Sequence, residues 1–275
     1  MNEGAFLIRV LTSLVLVPVV LVLIWFEPLR PVLSVVIAAF AGIGLYEYYA
    51  IVRARKIQPE TIVGIVFGTL LALSGHTGQP LVVGFFLFLA VTVVGAFHMF
   101  RPTTTVESMG VSIFGLVYVG WLFAHFSMLR AEPKIGSGVA LLILVTVVFT
   151  DAGAYICGKL FGRHKLAPKL SPKKTWEGSI GGLVLSIGGA CVLFALSDRY
   201  IKLPHWSLPH YILIVAVLSA VSQLGDLLES AMKRSAGIKD SGVLFPGHGG
   251  VLDRCDGYLF AAPLLYYIVV FSRTL

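Results

Sequence analysis

The feature that most constrains this chain is a succession of long apolar runs. A membrane-spanning helix needs about 20 mostly apolar residues, and nine segments approach or meet that length: 5–26, 31–52, 61–74, 80–98, 109–129, 138–158, 178–197, 209–232 and 257–272. Hydrophobic residues make up 57% of the 275 and charged residues 13%, where soluble domains have about 45–50% and about 25%. One soluble core cannot hide that much apolar surface. Disorder and an ordinary cytosolic enzyme are both excluded. The chain reads as an all-α polytopic integral membrane protein with about nine transmembrane helices.

Loop charge tests the count, because the third run is short enough to be re-entrant. With the N-terminus cytoplasmic, nine crossings place Arg9, Arg53, Arg55, Lys56, Arg101, Lys159, Arg163, Lys165, Lys169, Lys173, Lys174, Lys233, Arg234, Lys239 and Arg254 on the cytoplasmic side. Those are 15 of the 21 Lys and Arg. Dropping the third span would put the Arg53–Lys56 cluster opposite the later basic loops. The positive-inside rule therefore favours nine crossings, N-terminus in and C-terminus on the opposite side. The first run follows Arg9 without a small-residue cleavage site, so it reads as a retained span.

The net charge of +7 fits such loops and phosphate-bearing ligands better than nucleic acid. Cys157, Cys191 and Cys255 are widely spaced, which gives neither a disulfide framework nor a zinc site. Two regions differ in kind. Residues 1–137 form an N-terminal region of about five spans with short connections. Their one notable intramembrane acid, Glu47 in Tyr46-Glu47-Tyr48-Tyr49, reads as structural because no other candidate site lies in that half. Residues 138–275 hold about four spans, acids within apolar stretches, and two long cytoplasmic loops at 159–177 and 233–256. The chemistry is expected there.

In the eighth span Gln223, Asp226, Ser230 and Lys233 form one polar stripe on a helix. Intramembrane ionisable residues are functional by default, although Asp226 and Lys233 would also neutralise each other. The next loop runs from Lys239-Asp240 through Pro246-Gly247-His248-Gly249-Gly250 to Asp253-Arg254-Cys255-Asp256. Its glycines permit the close backbone approach that phosphate-cradling loops need. Asp253 and Asp256 stand three apart at the expected start of the ninth helix, so both carboxylates project to one side. With Asp226 they suit Mg²⁺, a hard cation that shares its shell with phosphate and water. The blander alternative makes the two acids helix caps and the glycines a turn.

The other loop carries Lys159, Arg163, Lys165, Lys169, Lys173 and Lys174, dense enough for anionic headgroups or a polyphosphate, or simply a topology signal. Its end, Ser171-Pro172-Lys173-Lys174-Thr175-Trp176-Glu177, mixes hydroxyls, ammoniums and one acid, and Thr175 also suits a helix cap. Asp151, with Tyr155 one turn later, positions a ligand or a basic residue, or makes a satisfied buried hydrogen bond. His76, His98, His125, His205 and His210 show no ligand spacing and read as interfacial or packing residues. His164 is at most an extra headgroup contact, and only His248, between glycines, is assigned to function.

These residues resemble the phosphatidate cytidylyltransferases, or CDP-diacylglycerol synthases. The family signature is matched by Ser230-Ala231-Met232-Lys233-Arg234, then Lys239-Asp240 and Gly242, Phe245-Pro246, His248-Gly249-Gly250-Val251, Asp253-Arg254 and Asp256. Cys255 departs, standing where the family usually has a larger aliphatic residue or Thr. Ser171–Gly178 is also similar to the family, and weaker similarity extends from the sixth span onward.

The resemblance implies transfer of a cytidylyl group from CTP to phosphatidic acid, giving CDP-diacylglycerol and pyrophosphate. A phosphate monoester has its second pKa at about 6, so the attacking oxygen is already anionic and no strong base is required. The difficulty is bringing two anions together and stabilising the departing pyrophosphate. By the resemblance, Asp226 and Asp253 are the first-choice metal ligands, with Asp256 as a third, for Mg²⁺ and a second cation if one is used. Lys233, Lys239, His248 and Asp253 are the catalytic set. Lys173, Lys174, Thr175, Ser230, Arg234, Asp240, Gly249, Gly250 and Arg254 are the substrate contacts. The implied partners are CTP, phosphatidic acid and membrane lipids, without nucleic acid; homodimerisation is a family property with no interface visible in the sequence. The implied location is the bacterial inner membrane with the site facing the cytoplasm.

The main alternative is a small-solute transporter, which also needs buried acids but predicts paired repeats with midplane residues in both halves. The CDP-alcohol phosphotransferases are a second rival. Asp256-Gly257 begins their motif, but no Ala-Arg or later Asp pair follows. A scaffolding membrane protein is the third.

Overall fold

The computed structural model describes residues 17–101, 105–197, 199–242, 244 and 249–273. Helix follows helix, as the apolar runs require. Residues 17–25 are helical (α1), followed by α2 (Arg30–Ala54), α3 (Thr61–Ser74), α4 (Pro80–Met99), α5 (Val106–Gly115), α6 (Leu122–Arg130) and α7 (Gly136–Phe161). After a hairpin of β1 (Lys165–Ala167) and β2 (Ser171–Thr175) come α8 (Trp176–Ala195), α9 (Leu208–Ser235) and α10 (Leu252–Phe271). A π-helical turn over Leu116–Trp121 joins α5 to α6 in one rod.

Seven of the described helices are long and apolar enough to cross a membrane, and the protein is an all-α polytopic membrane protein. The third predicted run forms α3, which has 14 residues. At about 1.5 Å per residue it falls well short of the roughly 30 Å hydrocarbon core. Most of the first predicted run lies outside the described residues.

Two details differ from the sequence reading. The 159–177 loop is largely structured: α7 runs on to Phe161 and an antiparallel hairpin pairs Lys165 with Thr175 and Ala167 with Ser171. The tenth helix starts at Leu252, five residues ahead of the apolar run at 257, which places Asp253 in its first turn and Asp256 inside it, at the helix start expected for the two acids. A distant carboxylate supplies the acceptor that lets the helix begin early, as described below.

The chain forms two compact units, Met1–Ala131 with Met232–Cys255, and Glu132–Ala231 with Asp256–Leu275. The segment 232–255 therefore groups with the amino-terminal helices. In that first unit α2 and α3 meet through small residues: a Cβ at Gly64 would strike the Tyr49 ring and one at Gly68 the Leu45 side chain. Close backbone approach of this kind is how apolar helices gain packing where lipid offers no hydrophobic drive. The hydroxyls of Tyr48 and Tyr49 donate to the carbonyls of Val111 and Ser112, each at 3.0 Å. Buried Glu60 accepts from Arg101 Nε at 2.8 Å and lies 3.2 Å from His98 Nδ1. The packing role read for His98 fits its burial.

In the second unit α7 and α8 also pack on small residues. A Cβ at Gly182 would lie 2.6 Å from the Thr150 carbonyl oxygen, and one at Gly153 2.6 Å from that of Gly181. Thr150 Oγ1 lies 2.7 Å from the Thr146 carbonyl and 2.8 Å from Ser219 Oγ, tying α7 to α9.

Candidate active site

In the first unit Asp253 bonds two other predicted residues, Lys233 and Gly250, and one that was not predicted, Ser241. Its Oδ1 accepts from Lys233 Nζ at 2.5 Å. Its Oδ2 accepts from Gly250 N at 2.8 Å, Ser241 N at 2.9 Å and Ser241 Oγ at 3.0 Å. The Lys233 and Asp253 side chains are 10% and 7% exposed. Charges that far from water persist only when paired and hydrogen-bonded, and here each supplies the other's partner. The carboxylate thus ties together the end of α9, the loop at Ser241 and the first turn of α10.

The loop closes on a second carboxylate that the sequence reading set aside. Glu47, 4% exposed on α2, accepts from Val251 N at 3.0 Å and Leu252 N at 2.9 Å, and its Oε2 lies 3.1 Å from Ser241 Oγ, which shares its one proton between the two acids. The first amides of a helix have no intrahelical acceptor, and its N-terminus favours negative charge. A local Ser, Thr or Asp usually fills that position. Here the acid arrives from a helix 204 residues away in sequence. Only an acid among the aromatics of an otherwise apolar helix signalled it.

The glycines serve the same carboxylates. A Cβ at Gly250 would come within 2.5 Å of both Glu47 oxygens, and one at Gly249, where φ is +86°, within 2.5 Å of Asp253 Oδ2. The close approach read as room for phosphate is therefore approach to the protein's own acids. Lys239, Asp240 and Arg254 are exposed, and Arg234 Nη1 donates to the Ile238 carbonyl at 3.1 Å. His248 lies outside the described residues.

In the second unit Asp226 pairs with Lys174, whose Nζ lies 2.5 Å from Asp226 Oδ2. Ser230 Oγ reaches Asp226 Oδ1 at 3.4 Å, and Ser179 Oγ donates to Gln223 Oε1 at 2.5 Å. The polar stripe of α9 thus meets the Ser-Pro-Lys-Lys-Thr segment. The neutralisation considered for Asp226 and Lys233 takes another form: Asp226 has Lys174, and Lys233 has Asp253. Lys173 is exposed.

Thr175 caps α8, its Oγ1 accepting from Gly178 N at 3.1 Å. Glu177 accepts from the amides of Arg163 and His164 and from His164 Nδ1, the last at 2.6 Å, and so anchors the hairpin to α8. Thr175→Ala is expected to cost about 1 kcal/mol, read as a lower unfolding midpoint in detergent that Thr175→Ser restores. An unchanged midpoint would mean the cap contributes nothing.

Asp226 and Asp256 approach because α9 and α10 nearly touch. A Cβ at Gly225 would strike the Asp256 carbonyl oxygen, and one at Gly257 would meet Ser222 Cβ at 3.4 Å. The charges of Asp226, Glu229 and Asp151 all act on Asp256, whose Oδ1 accepts from the next amide, Gly257 N, at 2.7 Å. Asp151 is thus near other acids, a setting that the sequence reading of a ligand, a basic residue or a buried hydrogen bond did not include. Among the described residues no three Asp, Glu, His or Cys side chains converge tightly enough to grip one ion.

The comparisons agree with one another. The chain is similar to proteins named phosphatidate cytidylyltransferase: 37% identical over 264 residues to that of Synechocystis sp., covering 86% of this chain and 88% of the relative. It is 35% identical over 263 residues to that of Brucella suis, with 94% and 91% covered. Against that of Bacillus subtilis it is 32% identical over 249 residues, with 86% and 88% covered. A family model described as the cytidylyltransferase family matches residues 7–272, nearly the whole length, and the chain belongs to that family.

Proposed function

We propose that this protein transfers the cytidylyl group of CTP to phosphatidic acid, forming CDP-diacylglycerol and pyrophosphate. The observation that carries this reading is the family match across residues 7–272, joined by relatives named phosphatidate cytidylyltransferase that align over most of both chains. The solute-transporter alternative gains no support from it.

The lipid phosphate oxygen attacks the α-phosphorus of CTP, a new P–O bond forms, and the bond to pyrophosphate breaks. The chain's residues contribute charge and orientation more than proton transfer. Lys233, held by Asp253, and Lys174, held by Asp226, present oriented ammonium groups to phosphate. Exposed Lys239 on its loop, Arg234 at the end of α9, Arg254 at the start of α10 and Lys173 on β2 add charge. Ser230, Thr175, Asp240, Gly249 and Gly250 line the path in this reading, and His248 positions phosphate. The described loop amides at Gly250, Val251 and Leu252 already serve internal carboxylates, so phosphate is read chiefly by side-chain cations.

The donor set suits Mg²⁺. Asp226 and Asp256 are hard oxygen ligands within an acidic group, and Mg²⁺ commonly takes one or two carboxylates with phosphate and water completing the shell. Asp253 keeps acceptor capacity on Oδ1 alone. When bound, the ion neutralises charge on the triphosphate; a second cation would draw on the same acids. The basic residues concentrated in the 159–177 and 233–256 segments support a site on the cytoplasmic side of a bacterial inner membrane. A homodimer remains part of the family-derived reading.

The test is incubation of purified protein with CTP labelled in its α-phosphate, phosphatidic acid and Mg²⁺. Label is expected to pass into a lipid-soluble product and to vanish with EDTA. No lipid-soluble label across detergents and salts would refute the reading.

A further inference from the structure

We propose that Glu47, in the half of the chain that carries none of the family signature, is a positioning residue for the transfer reaction. The inference rests on the cytidylyl-transfer reading and adds a residue that the signature does not contain. Four observations carry it. Glu47 takes the first amides of α10, at Val251 and Leu252, through separate oxygens. Leu252 is the immediate neighbour of Asp253, which holds Lys233. Ser241 Oγ stands between the two acids, 3.1 Å from Glu47 Oε2 and 3.0 Å from Asp253 Oδ2. Finally, Gly242 and Gly250 lie so close to the Glu47 carboxylate that no side chain fits at either place.

These contacts pin both ends of the 241–252 loop to one rigid helix. A hydroxyl has one proton to donate, so Ser241 links the orientations of Glu47 and Asp253 rather than satisfying each independently. With the carboxylate in place the α10 N-terminus is fixed, and with it the direction from which Asp253 grips Lys233. Glu47 touches no reacting atom in this account. Its effect travels through the angle and reach of the Lys233 ammonium, where small displacements are costly.

Glu47→Gln keeps the shape but offers an amide N–H where one donor now finds an oxygen. The expected result is a fall in kcat of about tenfold or more, with KM for CTP changed by less than about threefold. Amide hydrogen exchange at Val251 and Leu252 should quicken while α4 and α8 stay protected, a local signature that general destabilisation would not produce. Glu47→Asp, which keeps the charge, should recover part of kcat.

Should Glu47→Gln not fold, Ser241→Ala removes only the shared hydroxyl and is expected to lower kcat about fivefold with the fold intact. Wild-type kcat in a folded Glu47→Gln or Ser241→Ala protein overturns the proposal. Absence of transfer in the wild-type protein would instead strike the reaction reading, and the exchange measurement would still report whether Glu47 fixes the loop.

Discussion

Asp253→Asn is expected to reduce transfer by at least about a hundredfold and to lower stability by about 3–5 kcal/mol, the range for breaking a buried ion pair from one side. The change removes the charge paired with buried Lys233 Nζ and replaces one of two carboxylate oxygens by a donor. One of two sets of contacts must then fail: the ammonium on Oδ1, or the Gly250 and Ser241 amides on Oδ2. A double-mutant cycle with Lys233→Gln separates the pair from its surroundings. The double variant should lose less stability than the two single changes summed, because each single change leaves a lone buried charge and the double change leaves none. Strict additivity would mean that the two groups do not depend on each other, and near-normal Mg²⁺-dependent turnover in Asp253→Asn would remove this residue from the working site.

Gly225→Ala should do comparable damage through geometry alone. Its Cβ would collide with a main-chain atom, the Asp256 carbonyl oxygen, which cannot rotate away. Overpacking of this kind costs about 1–3 kcal/mol. Because Gly225 neighbours Asp226, the relieving shift would separate the two acids. Activity is expected to drop about a hundredfold, as displacements of about 1 Å at a site do. Gly188→Ala in α8 is the matched control. Nothing lies within 4 Å of its added Cβ, so the helix should be neutral or gain up to about 1 kcal/mol. Equal behaviour of the two variants, in unfolding midpoint and turnover, would show that the α9–α10 approach does not set the site.

Much of this was legible in the chain. Apolar length alone marks where helices lie, because backbone groups in lipid must be satisfied within the segment. Seven described helices follow from that, and α3 is short in the structure as in the sequence. The polar stripe of α9, the acids at the start of α10 and the Ser-Pro-Lys-Lys-Thr segment were visible because charge in an apolar run stands out. The hairpin was not. Its strands have three and five residues, too few to show an alternation, and Glu177 holds it by accepting backbone amides that no side-chain pattern reports.

Partnership was the other thing hidden. From the sequence, Lys233 had Asp226 two turns away on the same helix, yet it pairs with Asp253, while Asp226 pairs with Lys174 of the hairpin. Helical periodicity states which residues share a face but not what that face meets. Glu47 makes the same point across 204 residues. Its neighbours Tyr46, Tyr48 and Tyr49 mark a polar patch in an apolar rod, and only packing brings the Glu47 carboxylate to the α10 amides.

By itself, then, the sequence determined the membrane class, the helical segments and the chemical kinds present at the site, since these depend on local composition and on spacing along one helix. Which acid holds which ammonium, why the loop glycines are glycines, and the use of an acid from α2 to start α10 were decided by tertiary structure alone. Hydrogen bonds and ion pairs depend on distances between segments far apart in the chain, and such distances exist only once the helices have packed.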